Sequence, residues 1–147
     1  MKIISKTLIT VIALATASVA FAEGEPTDPN VKAWEDLMKS TGGAVKVLAD
    51  MAGGKATFDA TAASQAKDTL IANATKIPET FKDPATDPAS EAKPEIWTNW
   101  DDFVAKAGAL TAAATALDVT SAETIGAGMG AIGGACKDCH TAYRVMN

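Results

Sequence analysis

Five residues close to the end of the chain constrain its fold most strongly. Cys136, Lys137, Asp138, Cys139 and His140 form a C-x-x-C-H sequence, which is the attachment pattern of c-type haem. On a helix, two cysteines three residues apart lie on one face, so both sulfurs can add to the vinyl groups of one porphyrin. The sequence therefore predicts one covalent haem, held by Cys136 and Cys139, with His140 as the iron ligand.

Paired cysteines at this spacing also occur in disulfides, thioredoxin-like redox pairs and zinc sites. A redox dithiol normally follows a strand, at the N-terminus of a helix, whereas no strand pattern precedes Cys136. A structural zinc site needs about four ligands, and this chain contains two cysteines and one histidine. The motif therefore favours covalent haem over these alternatives.

The first 22 residues have the pattern of a secretory signal peptide. Lys2 and Lys6 give a basic start, residues 7–19 are apolar, and Ala-Phe-Ala ending at Ala22 fits signal peptidase. A membrane anchor needs roughly 20 apolar residues, and this run is shorter. Cleavage is expected after Ala22, which leaves residues 23–147 as an exported, periplasmic protein without a membrane span. Export agrees with haem attachment, which takes place outside the cytoplasm.

The charge of the chain argues against one class of partner. The full sequence has 13 basic and 18 acidic residues and a net charge of -5. Loss of Lys2 and Lys6 with the leader leaves 11 basic residues against 18 acidic ones, a net charge of -7. Because a nucleic-acid-binding surface needs a basic footprint, nucleic acid is not an expected partner.

The sequence after the leader is rich in helix-forming residues and lacks alternating β-branched runs, which favours helices. Apolar spacing and terminal signals predict four of them, at about 28–51, 57–76, 93–117 and 120–145. Pro78 is expected to end the second helix, and the proline-rich residues 77–93 are expected to form a surface connection. The pattern predicts an all-α fold, a single antiparallel four-helix bundle over residues 23–147.

A glycine-rich stretch lies in the predicted fourth helix, where each glycine costs about 1 kcal/mol relative to alanine. Its glycines are Gly126, Gly128, Gly130, Gly133 and Gly134. Small side chains would allow a flat group such as haem to lie against this helix. The alternative is a loose, partly unwound start of the helix.

The second axial ligand of the iron cannot be a histidine, because His140 is the only one in the chain. A methionine, a lysine or an open position remains. The initiating methionine leaves with the leader, and Met129 and Met146 lie on the same predicted helix as the motif. Only Met38 and Met51, on the first helix, could approach the ring from the other side, although methionine at helical spacing is also a common core residue.

Three segments resemble the cytochrome c′ family, the class II c-type cytochromes. Residues 136–144 (CKDCHTAYR) resemble the haem segment of that family at the end of the chain. Residues 92–103 (AKPEIWTNWDDF) and 36–48 (DLMKSTGGAVKVL) are similar to its third and first helices. The resemblance implies a four-helix bundle with haem packed between the helices, often as a homodimer.

The resemblance implies one of two functions. Low-spin members, similar to the c-556 type, place a methionine of the first helix on the iron, and Met38 falls at that position. High-spin members leave the site empty beneath a bulky residue and bind NO or CO, and in some of them a methionine there does not ligate. The likeness favours a one-electron carrier with His140 and Met38 on the iron and redox proteins as partners. No catalytic residue is expected, because the only histidine is already used.

Overall fold

A computed structural model describes residues 24–146 of the chain. Its helices are α1 (Pro29–Ala52), α2 (Ala60–Thr80), α3 (Glu95–Thr98), α4 (Trp100–Ala116) and α5 (Ala122–Tyr143). The signal peptide predicted for residues 1–22, with its cleavage after Ala22, lies outside the described residues. No helix within residues 24–146 combines the length and the apolar character that crossing a membrane requires.

The four long helices form a ring in which each packs against two neighbours, in the order α1, α2, α4, α5 and back to α1. Their inward faces meet in one apolar core, whose fully buried larger side chains are Val31, Leu48, Leu70, Ile96, Ile125 and Ile132. Short links after α1 and α4 reverse the chain direction. The predicted all-α, antiparallel four-helix bundle is therefore confirmed.

Two features of the helices differ from the sequence-based prediction, and one alternative is excluded. Pro78 does not end α2, which continues to Thr80; a proline lacks the N–H donor but has helical φ, so the last turn can close through Phe81 N–H to Ile77 C=O at 3.0 Å. The predicted third helix is interrupted at Asn99, whose φ of -122° and ψ of 44° are not helical. The glycine-rich stretch is continuous helix, so the alternative of a partly unwound start is wrong.

The connection between α2 and α3 is attached to the start of α1 by one buried carboxylate. Asp87 Oδ2 accepts from the N–H groups of Thr27 and Asp28, at 2.8 and 2.9 Å, and from the Thr27 hydroxyl at 2.9 Å. Asp87 Oδ1 accepts from the N–H of Ala89 at 2.8 Å. These donors lower the pKa of Asp87 to about 2, because they stabilise its charged form.

The same connection holds the end of α5 through a short antiparallel pairing, which we call the clasp (residues 91–93 with 143–145). Ala92 and Arg144 form a β-bridge. Lys93 N–H donates to Tyr143 C=O at 2.9 Å, and Val145 N–H donates to Glu91 C=O at 2.8 Å. The connection therefore joins the first turn of α1 to the last turn of α5.

Aromatic side chains fill the core at this end of the bundle. The Trp34 ring stacks on Phe81 with centroids 5.1 Å apart, and the Phe103 ring lies 5.5 Å from Phe81 and 5.4 Å, edge-on, from Tyr143. Trp34 Nε1 donates to the C=O of Thr80 at 2.8 Å. The cluster connects α1, the end of α2, α4 and α5, so it fixes their positions near the C-terminus of α5.

We expect Asp87→Asn to lower the melting temperature near neutral pH. The folded-state pKa of about 2 lies below the ordinary value of 3.8, so the stabilisation from Asp87 is present above the unfolded-state pKa and is lost as the pH falls toward 2. Melting temperatures measured by circular dichroism should become equal in the variant and the natural protein as the pH falls from 3.8 to about 2. Asp83→Asn, an exposed site in the same connection, serves as the control; an equal pH dependence in all three proteins would contradict the assignment.

We expect Gly128→Ala to destabilise the fold by about 1 to 2 kcal/mol, because an added Cβ would lie 2.4 Å from Cδ1 of Leu117, which is buried. Gly108→Ala is the matched control in α4, where an added Cβ meets nothing within 4 Å. That variant should stabilise by about 0.5 to 1 kcal/mol, because alanine is the better helix former. Denaturant unfolding measures both effects, and a stabilised Gly128→Ala would refute the close packing.

Candidate haem site

The two cysteines of the motif lie on the inner side of α5, half-buried and packed against the core. Cys136 and Cys139 are both free thiols. Burial raises the pKa of each thiol, and for Cys139 the nearby Lys106 partly opposes this effect. A redox-active dithiol normally has a lowered pKa. These thiols instead are neutral, adjacent and directed into the bundle, as attachment to one ring requires.

His140 is half-buried beside the cysteines, one residue after Cys139. Burial lowers the pKa of its imidazole, the charge of Arg144 lowers it further, and the charge of Glu91 acts in the opposite direction. No hydrogen bond contributes to this shift. Burial therefore favours the neutral imidazole, which is the form that binds metals.

A contact near the start of α5 fixes its register against α1. A Cβ added to Gly126 would lie 3.8 Å from Cβ of Ala52. The beginning of α5 therefore packs against the end of α1, as it does in an antiparallel pair of helices. Met38 lies fourteen residues before Ala52 and His140 fourteen residues after Gly126. At about 1.5 Å per residue the two distances along the helices are equal, so Met38 and His140 are level.

Met38 also shares a helix face with Ala52. Met38, Val45 and Ala52 are spaced by seven residues, and so are Gly126, Gly133 and His140 on α5. Residues seven apart in a helix lie within about 20° of each other around the axis. On this spacing the two rows would face one another from the contact between Ala52 and Gly126 onward, and we call them the α1–α5 seam (residues 38, 45 and 52 with 126, 133 and 140).

The seam is closed at one end and open further along. An added Cβ at Gly126 would be in ordinary contact with Ala52, whereas at Gly133 it would meet nothing within 4 Å. Gly133 lies one helical turn before Cys136, and its position is exposed. The residues fit a haem, since two thiols and an imidazole lie within five residues of each other on α5, next to glycines without side chains.

The other methionines lie away from the part of the α1–α5 seam that is near His140. Met51 is 5% exposed and adjacent to Ala52, so it lies at the closed end of the seam. Met129 is on α5, the helix that carries the motif. Met146 is 69% exposed and follows the end of α5, in contrast to the predicted helix end near residue 145. Of the methionines in the described residues, Met38 alone lies on α1 at the same number of residues from Ala52 as His140 lies from Gly126.

Two acidic residues near the site were not identified from the sequence. Asp102 accepts a 2.6 Å hydrogen bond from the Tyr143 hydroxyl, which raises the pKa of Tyr143 to about 12. Glu91 pairs with Arg144. These partners are 41 and 53 residues apart in the chain. No local sequence signal marks such pairs, because they depend on the packing of separate elements.

The chain is similar to several known proteins. The profile described as Cytochrome C′ matches residues 30–144. A cytochrome c-556 from Agrobacterium tumefaciens (strain apple 185) is 39% identical over 112 residues, which cover 74% of this chain and 89% of that protein. A cytochrome c′ structure from Rhodobacter spheriodes has a TM-score of 0.72 at 30% identity, covering 80% of this chain and 96% of that one. An oxidized R. palustris cytochrome c556 structure has a TM-score of 0.72 at 25% identity, with 81% and 98% covered.

Proposed function

Because the chain belongs to the cytochrome c′ family and binds haem c, we propose that it is a one-electron carrier with a low-spin iron between His140 and Met38. The spacing along the α1–α5 seam supports this proposal, since half-buried Met38 and His140 each lie fourteen residues from the contact between Ala52 and Gly126. Haem supplies the redox-active iron. The protein supplies the attachment, both axial ligands and a largely apolar surrounding.

The position of Cys136 and Cys139 supports attachment through both. Both residues lie on one face of α5, and burial raises the pKa of each thiol, which favours its protonated form. A protonated thiol can add across a vinyl group, with its sulfur on one carbon and its hydrogen on the other. Two such bonds on one helix would hold a haem beside His140, whose imidazole would bind the iron.

A methionine sulfur as the second iron ligand, opposite His140, would favour electron transfer over catalysis. With two protein ligands the iron would have no free position for a substrate. The reaction left to it would be the gain or loss of one electron. A thioether is a soft ligand that favours ferrous iron and raises the reduction potential. The aromatic cluster of Trp34, Phe81, Phe103 and Tyr143 makes this end of the bundle apolar. A low local dielectric acts in the same direction.

The second candidate is a five-coordinate protein that binds NO or CO. The chain is similar to proteins named cytochrome c′ as well as to proteins named cytochrome c-556. This similarity supports the second candidate. In that case Met38 packs against the ring without bonding the iron, as a flexible core side chain. The two candidates differ in one bond, which spectroscopy detects.

The proposed setting is the periplasm, with redox proteins as partners and a homodimer as the assembly. The basic, apolar and small-residue pattern of residues 1–22 supports export. The family resemblance supports the dimer. A net charge of -7 after cleavage, with 11 basic and 18 acidic residues, favours a redox partner with a basic docking surface.

Intact-mass measurement tests the attachment. We expect the purified protein to have the mass of the cleaved polypeptide plus one haem, to keep its colour after acid-acetone extraction, and to resist alkylation at both cysteines. A Cys136→Ala and Cys139→Ala double variant should lose the haem on extraction. Colourless protein with two alkylated thiols would exclude the proposal.

Absorption spectroscopy tests the distal ligand. The ferric protein should show the far-red charge-transfer band of methionine-ligated haem, and Met38→Ala should abolish it and give a high-spin spectrum. The ferrous variant should then bind CO, which the natural protein binds slowly or not at all. If the natural protein is itself high-spin and binds CO as fast as the variant does, the gas-binding candidate replaces the carrier.

Met51→Ala is the matched control for the spectra. Met51 is a buried methionine on the same helix, so its removal should destabilise the fold by about 2 to 4 kcal/mol. It should leave the charge-transfer band in place. Loss of the band in Met51→Ala instead of Met38→Ala would reverse the assignment of the ligand.

A further inference from the structure

The chain contains a single tyrosine, Tyr143, and its hydroxyl has a carboxylate partner. Tyr143 is the last residue of α5 and is 5% exposed. Its hydroxyl donates to Asp102 Oδ2 at 2.6 Å and lies 3.4 Å from the C=O of Asn99. Neither the proposed attachment of haem nor the proposed axial ligation uses this hydrogen bond.

Tyr143 lies on the face of α5 that carries the two thiols. It follows Cys139 by four residues and Cys136 by seven, and side chains at these spacings are neighbours on one side of a helix. The tyrosine belongs to the apolar core, and both cysteines pack against that core. Its ring is held edge-on against Phe103, with centroids 5.4 Å apart. A haem bound to both cysteines would therefore have this phenol as a neighbour.

Asp102 connects the buried phenol to the solvent. Its side chain is 57% exposed, in the first turn of α4, and Lys106 Nζ lies 3.9 Å from the same carboxylate oxygen. The hydrogen bond to Asp102 raises the pKa of Tyr143 to about 12, because a phenolate would face the charge of the carboxylate. The phenol therefore keeps its proton near neutral pH, and a proton that leaves it has a direct way to water through Asp102.

This arrangement suits the removal of an electron from the phenol. An oxidised phenol is a strong acid, so a tyrosine gives up an electron readily when its proton leaves at the same time. The acceptor of that proton must lie within about 2.6 to 3.2 Å of the donor atom, and Asp102 Oδ2 does so. The buried phenol and the exposed carboxylate together form an electron donor with its own proton acceptor.

We propose that Tyr143 is a redox-active tyrosine, which returns one electron to the haem after a peroxide has oxidised it, with Asp102 as the acceptor of the phenol proton. The inference rests on the proposed attachment through Cys136 and Cys139. Reduction of hydrogen peroxide to water takes up two electrons and two protons. Tyr143 supplies one electron as its O–H bond breaks and the proton joins Asp102 Oδ2, and the redox partner of the proposed carrier supplies the other. A further electron from that partner, with the proton from Asp102, restores the phenol.

Electron paramagnetic resonance after rapid mixing of the haem-loaded protein with hydrogen peroxide tests this. Every sample also carries Met38→Ala, which leaves an open position on the iron whether or not Met38 is a ligand. We expect the signal of a neutral tyrosyl radical, which in this chain can arise only from Tyr143, and Tyr143→Phe should abolish it. Asp102→Asn should lower its yield about tenfold, because an amide does not accept the proton. The radical should form more slowly in heavy water, because the proton moves together with the electron.

Asp101→Asn is the matched control, since Asp101 is the neighbouring exposed carboxylate of α4 and is not a partner of the Tyr143 hydroxyl; it should leave the signal unchanged. Absence of a tyrosyl signal, whether or not the peroxide is consumed, would overturn the inference. An equal yield in Asp102→Asn would exclude Asp102 as the proton acceptor. A role limited to bracing would lower the melting temperature of Tyr143→Phe and Asp102→Asn without any tyrosyl signal. The intact mass of the same samples reports separately whether haem is attached.

Discussion

The close approach of α5 to both neighbours near its N-terminus is the constraint on which the site depends. Gly126 lies against Ala52 of α1, and Gly128 lies against Leu117 at the end of α4. A larger side chain at Gly128 would clash with Leu117 and shift α5 against α4. Met38 and His140 each lie fourteen residues, about 21 Å of helix, from the contact between Ala52 and Gly126. The proposed haem site would thus depend on packing at the opposite end of α5.

The C-terminal half of α5 is held by polar interactions with two other elements. Tyr143 donates to Asp102 of α4, the clasp pairs the chain with residues 91–93, and Asp87 attaches that same connection to α1. A metal ligand needs a defined position and orientation, and these depend on support from surrounding groups. Attachments on several sides give His140 a rigid base without any bond to the imidazole itself.

The sequence was informative where the signal is local. The C-x-x-C-H motif and the helical periodicity each depend on residues close in the chain, and the bundle they predict is confirmed. The prediction that Pro78 ends α2 was wrong, because a proline in the last helical turn removes only its own N–H donor. The break at Asn99 and the partners Asp102 and Glu91 could not be predicted, since they arise where distant segments meet. Met38 as the distal ligand stays a prediction, supported by the family resemblance and by the spacing along two helices.

The open stretch of the α1–α5 seam has a consequence for the proposed electron transfer. Gly126 lies near Ala52, while Gly133, seven residues further along α5, carries no side chain and is exposed. A planar group held beside Gly133 would have one edge at the molecular surface. Electrons would then exchange across a thin boundary on one flank of the bundle, without crossing its apolar interior.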